Sequence, residues 1–308
     1  MDSLPPVLAY LITQITKSLT AFIQPDSYLY WPYSVSTLLL AFYLGRVAFF
    51  NRKLWWHPSA RQDYALYFAN FLIVPALFTA LYLNEAAVVH VFNALLGSAS
   101  THPYLSHTWG LRATFTFAIF VAYDLGRFLA HMLLHRLPAL WEIHKVHHSA
   151  VVLTPMTAYR VHPFEVLLMN GIPLFFTGGM VWLFNHIFSA GISVYVFLGT
   201  HVILALLNFV DNLRHSPVWL TYGQALGLWI ISPAHHQLHH SLEARHIGCN
   251  LGFALAVWDR MAGTLQVPSS KMENFRIGLA ESSNPRYTGL LSLYGKPLVN
   301  AWRSLRSS

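Results

Sequence analysis

The sequence predicts an all-α protein: a multi-pass membrane bundle of about four to five spans, with a cytoplasmic, histidine-lined helical cap. Three observations carry this. Hydrophobic residues fill 55% of the 308 positions and charged residues only 10%, against about 25% charged in a soluble domain. Several stretches approach the roughly 20 apolar residues that a membrane helix needs. Twelve of the 18 histidines fall in two windows, 131–162 and 215–246.

The first candidate span runs from Tyr33 to Phe50. The second, Tyr64 to Leu83, contains Pro75, which a membrane helix tolerates because neighbouring helices satisfy the freed backbone. Residues 86–97 are apolar but short, and read as a re-entrant or interfacial segment. Leu111 to Ala130 is the third span, with Asp124 and Arg127 near its end. Val166 to Phe184 and His186 to Phe209 form the fourth and fifth, joined by almost no loop. No Gly/Ser/Pro-rich linker or internal repeat divides the chain, so 1–308 reads as one membrane domain, with a core at about 115–268 and a C-terminal cytoplasmic tail at 269–308. The N-terminus lacks a basic n-region, so no cleavable signal peptide is expected. Cys249 is the only cysteine, which excludes an intrachain disulfide and a cysteine-based zinc site.

The formal charge of +7 is spread along the chain without a basic run or basic helix face, so nucleic acid is not an expected partner. Lys and Arg mark sides of a membrane instead. Arg46, Arg52, Lys53 and Arg61 flank the first connection, and none follows until Arg112. Arg127, Arg136, Lys145 and Arg160 surround the first histidine window, and nothing basic then occurs before Arg214. Cytoplasmic loops are enriched in Lys and Arg. The 51–63 loop, the 131–165 segment and the region after 210 are therefore expected on the cytoplasmic side of a bacterial inner membrane or the endoplasmic reticulum. Both histidine windows then share one side, where distant segments can build one site.

The spacing of the histidines specifies faces. His131 and His135 stand at i and i+4, one face of a helix. His144, His147 and His148 form an HxxHH motif, and His236, His239 and His240 repeat it. Ser232-Pro233 reads as an N-cap followed by Pro at N1, so the second HxxHH motif opens a helix. Neutral imidazole is a common ligand for iron, zinc and copper. Eight or more convergent imidazoles exceed the four ligands of a usual zinc site, so two metal ions are expected. His186 and His201 are expected as packing residues within spans, His57, His90, His102 and His107 as interfacial or loop residues, and His162, before Pro163, as a local hydrogen-bonding group.

The order HxxxH, HxxHH and a distant HxxHH after membrane spans resembles the fatty acid hydroxylase superfamily, also called the sterol desaturase family. Arg160-Val-His162-Pro163-Phe-Glu165, Asn212-Leu-Arg-His215-Ser, Ser232-Pro-Ala-His235-His236, Asn250-Leu-Gly252, Trp258-Asp259-Arg260 and Gly263-Thr264 support the resemblance. It covers roughly residues 115–268. It implies a non-haem centre of two iron ions that activates O2 to hydroxylate or desaturate a C–H position of a membrane lipid: a sterol, fatty acyl chain or related lipid. The ligands expected on this reading are His131, His135, His144, His147, His148, His215, His236, His239 and His240. Asp124, Asp211, His235 and Asp259 are expected to support them by hydrogen bonds; Asp211 is also a candidate carboxylate ligand. Asp124 lies two turns before His131, about 10 Å by helix rise, too far for a direct bond, so it is expected to reach a histidine of another helix. The competing readings are ion pairs with Arg127 for Asp124 and with Arg260, or a helix cap, for Asp259. No dinucleotide fingerprint occurs, so electrons are expected from an external reductase, cytochrome or reduced pterin. A membrane metal or haem carrier is the alternative function. Carriers place ionisable groups in mid-span, whereas these histidines cluster beyond span ends.

Overall fold

The computed structural model describes residues 6–44, 47–81, 83–98, 108–188, 191–279 and 287–307. Arg46, His102 and His107 fall outside them. Helices α1 (Pro6–Thr20), α2 (Trp31–Tyr43) and α3 (Arg52–Trp55) lead into α4 (Pro58–Ala80) and α5 (Glu85–Leu96). Then come α6 (Trp109–Arg136), α7 (Pro138–His148), α8 (Pro163–Ile187), α9 (Val202–Asp211), α10 (Gly223–Gly227), α11 (Pro233–His239), α12 (Val257–Ala262) and α13 (Leu290–Ser307).

Three stretches are long and apolar enough to cross a membrane: Pro58–Leu96, which contains α4 and α5, Trp109–Arg136 and Pro163–Ile187. Their ends are written in the sequence. Thr108 caps α6 by accepting from the Leu111 N–H, and His162 caps α8 by accepting from the Phe164 N–H, with Pro163 at the first helical position. Such caps satisfy N–H groups that have no partner inside the helix. Leu137 ends α6, and Pro138 begins α7. That proline forces a break, so α7 folds back on α6 and brings its HxxHH motif to His131 and His135.

Two of the expected spans take another form. Trp31–Tyr43 is a 13-residue helix, followed by a 3-10 turn at Val47–Phe50. Between α8 and α9 the chain forms a β-hairpin, with Val196 opposite His201 and Phe197 opposite Thr200. Leu198 and Gly199 both adopt positive φ at its two-residue turn, the conformation that matches the twist of paired strands. The apolar run 186–209 therefore holds a hairpin and a ten-residue helix, a distinction that hydropathy alone does not carry.

Small residues let the long helices approach. A Cβ on Gly126 of α6 would lie 2.5 Å from the Pro173 Cα of α8, and one on Gly178 would lie 2.5 Å from Val88 Cγ1 of α5. Close backbone approach at small residues is a general device of membrane helix pairs. Gly126→Ala meets backbone that cannot yield, so it is expected to destabilise the protein in detergent by about 1–3 kcal/mol. Gly110→Ala on the same helix meets nothing within 4 Å and serves as the control in thermal unfolding. Equal midpoints for the two variants would mean that the α6–α8 contact is not tight.

Behind the histidine motifs, α13 packs on α7. Leu293 joins Leu66, Val146, Leu279 and Tyr287 in one buried cluster. The Tyr294 carbonyl meets His162 Nε2 at 3.1 Å, and its hydroxyl donates to Asn70 Oδ1. The C-terminal segment is thereby tied to the middle of α4 and the start of α8.

Candidate metal centre

Nine histidines converge in two groups. His131, His135, His144, His148 and His239 form one; His147, His215, His236 and His240 form the other. Within each, one ring nitrogen per residue lies within 4.8 Å of the others. Helix geometry explains the division. Residues at i and i+4 share a face, and i+3 is rotated by about 100° from i+4. In α7, His144 and His148 therefore serve the first group and His147 the second. The 236–240 motif inverts this: His236 and His240 enter the second group and His239 the first. Each motif contributes to both groups, which places the groups side by side.

The ring nitrogens of the second group cannot satisfy one another. His215 Nε2 lies 3.3 Å from His147 Nε2 and 2.9 Å from His236 Nε2, and His236 Nε2 lies 3.2 Å from His240 Nε2. A ring nitrogen carries either one proton or one lone pair, so His215 and His236 cannot each serve two such neighbours. A cation shared by the lone pairs resolves the conflict. Metal–nitrogen distances of about 2.0–2.1 Å in a four-coordinate array place the nitrogens about 3.3 Å apart. In the first group, Nε2 of His135, His144, His148 and His239 is buried without a hydrogen-bond partner. Both donor sets fit metal ions.

The opposite ring nitrogens are held. His131 Nδ1 lies 2.8 Å from the Leu251 carbonyl and His239 Nδ1 2.8 Å from the Cys249 carbonyl. His147 Nδ1 lies 3.3 Å from the Arg160 carbonyl, and His144 Nδ1 2.9 Å from Glu165 Oε1. Such partners place the proton on Nδ1 and leave the Nε2 lone pair toward the centre. Burial, reinforced by neighbouring histidines, pushes His144, His148, His215, His236 and His240 well below the usual imidazole range. It lowers His147 to about 3 and His239 to about 4. Neutral imidazoles are the form that binds metal. Burial pushes the Cys249 thiol up to about 12, and Cys249 joins neither group.

Asp124, Asp211, His235 and Asp259 contact no histidine of either group. Asp211 pairs with Arg214 and stands outside both nitrogen sets. His235 Nδ1 accepts from the Ser232 N–H at 3.1 Å and meets its hydroxyl at 2.8 Å; it is occupied in capping α11. Asp124 accepts from the Ala254 and Leu255 N–H groups and from the Trp258 indole, at 2.7, 3.0 and 2.8 Å. Asp259 accepts from the Leu251 and Gly252 N–H groups at 2.7 and 2.6 Å. The expected direct support is thus replaced by an indirect one: both carboxylates hold the loop whose Leu251 carbonyl faces His131. Their reach to backbone N–H groups explains this, since the loop lies between them and the histidines. No ion pair joins Asp124 to Arg127 or Asp259 to Arg260 among the described residues.

Glu165 and the three carbonyls are the partners that the sequence reading did not assign. Glu165 had a signal, a carboxylate just after the His162-Pro163 helix start; a backbone carbonyl has none. Arg160 positions one of those carbonyls. Its guanidinium is buried against Asp63, Gln62, Ser59 and Ser149, with the Asp63 contact at 2.9 Å, and this joins α4 to the end of α7.

A cavity of about 590 Å³ opens from His131, His144, His147, His215 and His236 and extends between α4, α6, α8 and α9. Phe71, Val74, Pro75, Met169 and Leu204 supply apolar walls.

A membrane helical bundle with two adjoining imidazole groups at the base of such a cavity defines a class: integral membrane proteins with a histidine-rich metal site. Residues 116–264 match the fatty acid hydroxylase family, so this part of the chain is similar to that family. The chain is 29% identical over 171 residues to an ornithine lipid hydroxylase of Rhizobium tropici, covering 54% of this chain and 46% of that protein. It is 29% identical over 169 residues to an alkylglycerol monooxygenase of Danio rerio (55% and 34%), and 27% over 148 residues to a human cholesterol 25-hydroxylase (48% and 49%). The chain thus spans less than half the length of each of these three relatives. No solved structure matches.

Proposed function

We propose that this chain is an O2-dependent lipid hydroxylase or desaturase whose two histidine groups each hold one iron ion. The observation that carries the reading is the convergence of nine neutral imidazoles in two adjoining groups at the base of a cavity set among bilayer-length helices. Nitrogen donors of this kind suit iron, zinc and copper alike; the relatives, named as hydroxylases and a monooxygenase, favour iron and oxygen chemistry. Bound iron supplies the O2 activation that protein side chains cannot. For hydroxylation the balance is C–H plus O2, two electrons and two protons giving C–OH and water, with the electrons from an external reductase, cytochrome or reduced pterin. The protein's own residues do the rest. Glu165 and the carbonyls of Arg160, Cys249 and Leu251 fix imidazole orientation, and the cavity walls hold an apolar substrate away from bulk water. The nine histidines are the ligands on this reading.

Purified protein is expected to contain about two iron atoms per chain, one for each group. Lipid profiling of cells with and without the protein is expected to show a product one oxygen atom heavier, or one lacking a pair of hydrogens. Iron-loaded protein that changes no lipid in the presence of a reductant and O2 would sink the oxygenase reading.

The orientation belongs to the same proposal. Reporters fused after residues 150 and 268 are expected on the cytoplasmic side and one near residue 100 across the membrane, following the Lys/Arg distribution. Opposite sides for 150 and 268 would contradict a site built from both histidine windows.

A further inference from the structure

The cavity wall beside the histidines carries a cation without a direct ion pair among the described residues, although the buried Asp211 and Glu165 lie near enough to feel its charge. Arg127 stands one turn before His131 on α6 and lines the cavity. Its Nη1 donates to the Met169 carbonyl at 3.1 Å, and its Nε is buried with no partner. Among the described residues it forms no ion pair. The nearby acids are engaged elsewhere: Asp211 with Arg214, and Glu165 with His144. Asp26, also on the cavity wall, is exposed to solvent. Arg127 and Arg214 both lie over the Phe253 ring, at 5.0 and 4.8 Å from its centre. Two guanidinium groups therefore rest on one aromatic ring in the cavity wall, and of them only Arg214 has a direct carboxylate partner, Asp211.

We propose that Arg127, with Arg214, binds the acidic headgroup of the lipid substrate, a carboxylate or a phosphate. The proposal rests on the lipid-oxygenase reading above. A guanidinium presents a planar fork of donors matched to such groups, and the part-buried Arg127, with its Nε unpartnered and no direct ion pair, gains from an anion placed against it. A purely hydrocarbon occupant would leave that gain unrealised. Apolar wall residues Phe71, Val74, Pro75 and Leu204 provide for the chains of the same molecule. Both guanidinium groups rest on Phe253, whose loop is in turn held by Asp124 through the Ala254 N–H.

The test measures binding to full-length, iron-loaded protein in detergent by native mass spectrometry. The probes are oleate, dioleoyl phosphatidic acid, dioleoylglycerol and inorganic phosphate. The acidic lipids are expected to bind at least about tenfold more tightly than dioleoylglycerol, the scale of one charge-assisted hydrogen bond. Arg127→Gln is expected to remove that preference, leaving dioleoylglycerol binding and iron content at the parent level, and Arg127→Lys to restore part of it. Asp211→Asn removes the competing carboxylate and is expected to tighten acidic-lipid binding, an effect opposite in sign that a purely structural role for these residues does not produce. Should Arg127→Gln fail to fold, the Asp211→Asn result and the headgroup preference of the parent decide. Equal binding of acidic and neutral lipids overturns the proposal, as does an unchanged preference in Arg127→Gln. Inorganic phosphate binding as tightly as phosphatidic acid also overturns it, by revealing a free-anion site. Selective binding without oxidation of any lipid would instead remove the oxygenase reading and leave the headgroup site standing.

Discussion

His147→Ala is expected to lower iron from about two atoms per chain to about one and to abolish lipid oxidation. His147 is one of four imidazoles in the smaller group, and its loss leaves three. The effect on activity should exceed the roughly 10–100-fold typical of losing only a partner of a ligand. His239→Ala removes one of five imidazoles from the larger group. Four nitrogens remain, a complete set for a four-coordinate ion, so this variant is expected to retain more metal than His147→Ala while still losing turnover. Iron analysis and turnover on the same preparations separate the two. His90→Ala, on the exposed side of α5, controls for substitution of a histidine as such. Parent-level iron and activity in both ligand variants would remove the metal assignment altogether.

How much of this was legible in the sequence differs by residue. The nine histidines that the structure gathers are the nine expected as ligands: eight stand at i, i+3 and i+4 spacings, a local property of helices, with Ser232-Pro233 announcing one helix start, whereas His215 was legible only through the Asn212-Leu-Arg-His215-Ser segment that carries the family resemblance. Spans built on a single long helix, such as Trp109–Arg136, are also local. The hairpin at Val196–His201 is not visible to hydropathy, since its four strand residues are set within a mainly apolar run; only the Leu198-Gly199 turn distinguishes it. The partners of Asp124 and Asp259 were hidden for another reason. Each carboxylate bonds backbone N–H groups, and backbone groups leave no trace in residue identity. The same holds for the carbonyls of Arg160, Cys249 and Leu251 that orient three of the imidazoles.

Asp259→Asn tests that hidden layer. Asp259 is fully buried. Its Oδ1 accepts from the Leu251 N–H at 2.7 Å and the Thr264 hydroxyl at 2.6 Å, and its Oδ2 accepts from the Gly252 N–H at 2.6 Å. An asparagine has one accepting oxygen, so its NH2 must face an N–H or hydroxyl donor on the other side. At least one charge-assisted bond is lost and a buried donor is left without a partner, a cost of about 3 kcal/mol. With the amide oxygen kept on the side of the Leu251 N–H and Thr264 hydroxyl, the Gly252 N–H is the donor released, and it shares its peptide unit with the Leu251 carbonyl that His131 Nδ1 meets at 2.8 Å. Metal affinity at the group containing His131 is therefore expected to fall about 10–100-fold, along with a lower unfolding temperature. Gly252→Ala reaches the same place from the other side. A Cβ there would lie 2.7 Å from Asp259 Oδ2 and 2.9 Å from the Leu255 carbonyl, so it must push the carboxylate or the loop away. Both variants should weaken iron retention during dialysis against a chelator. If both unfold at lower temperature yet hold iron as the parent does, the loop stabilises the fold without orienting His131. If neither property changes, the Asp259 contacts do not secure the Leu251 peptide at all.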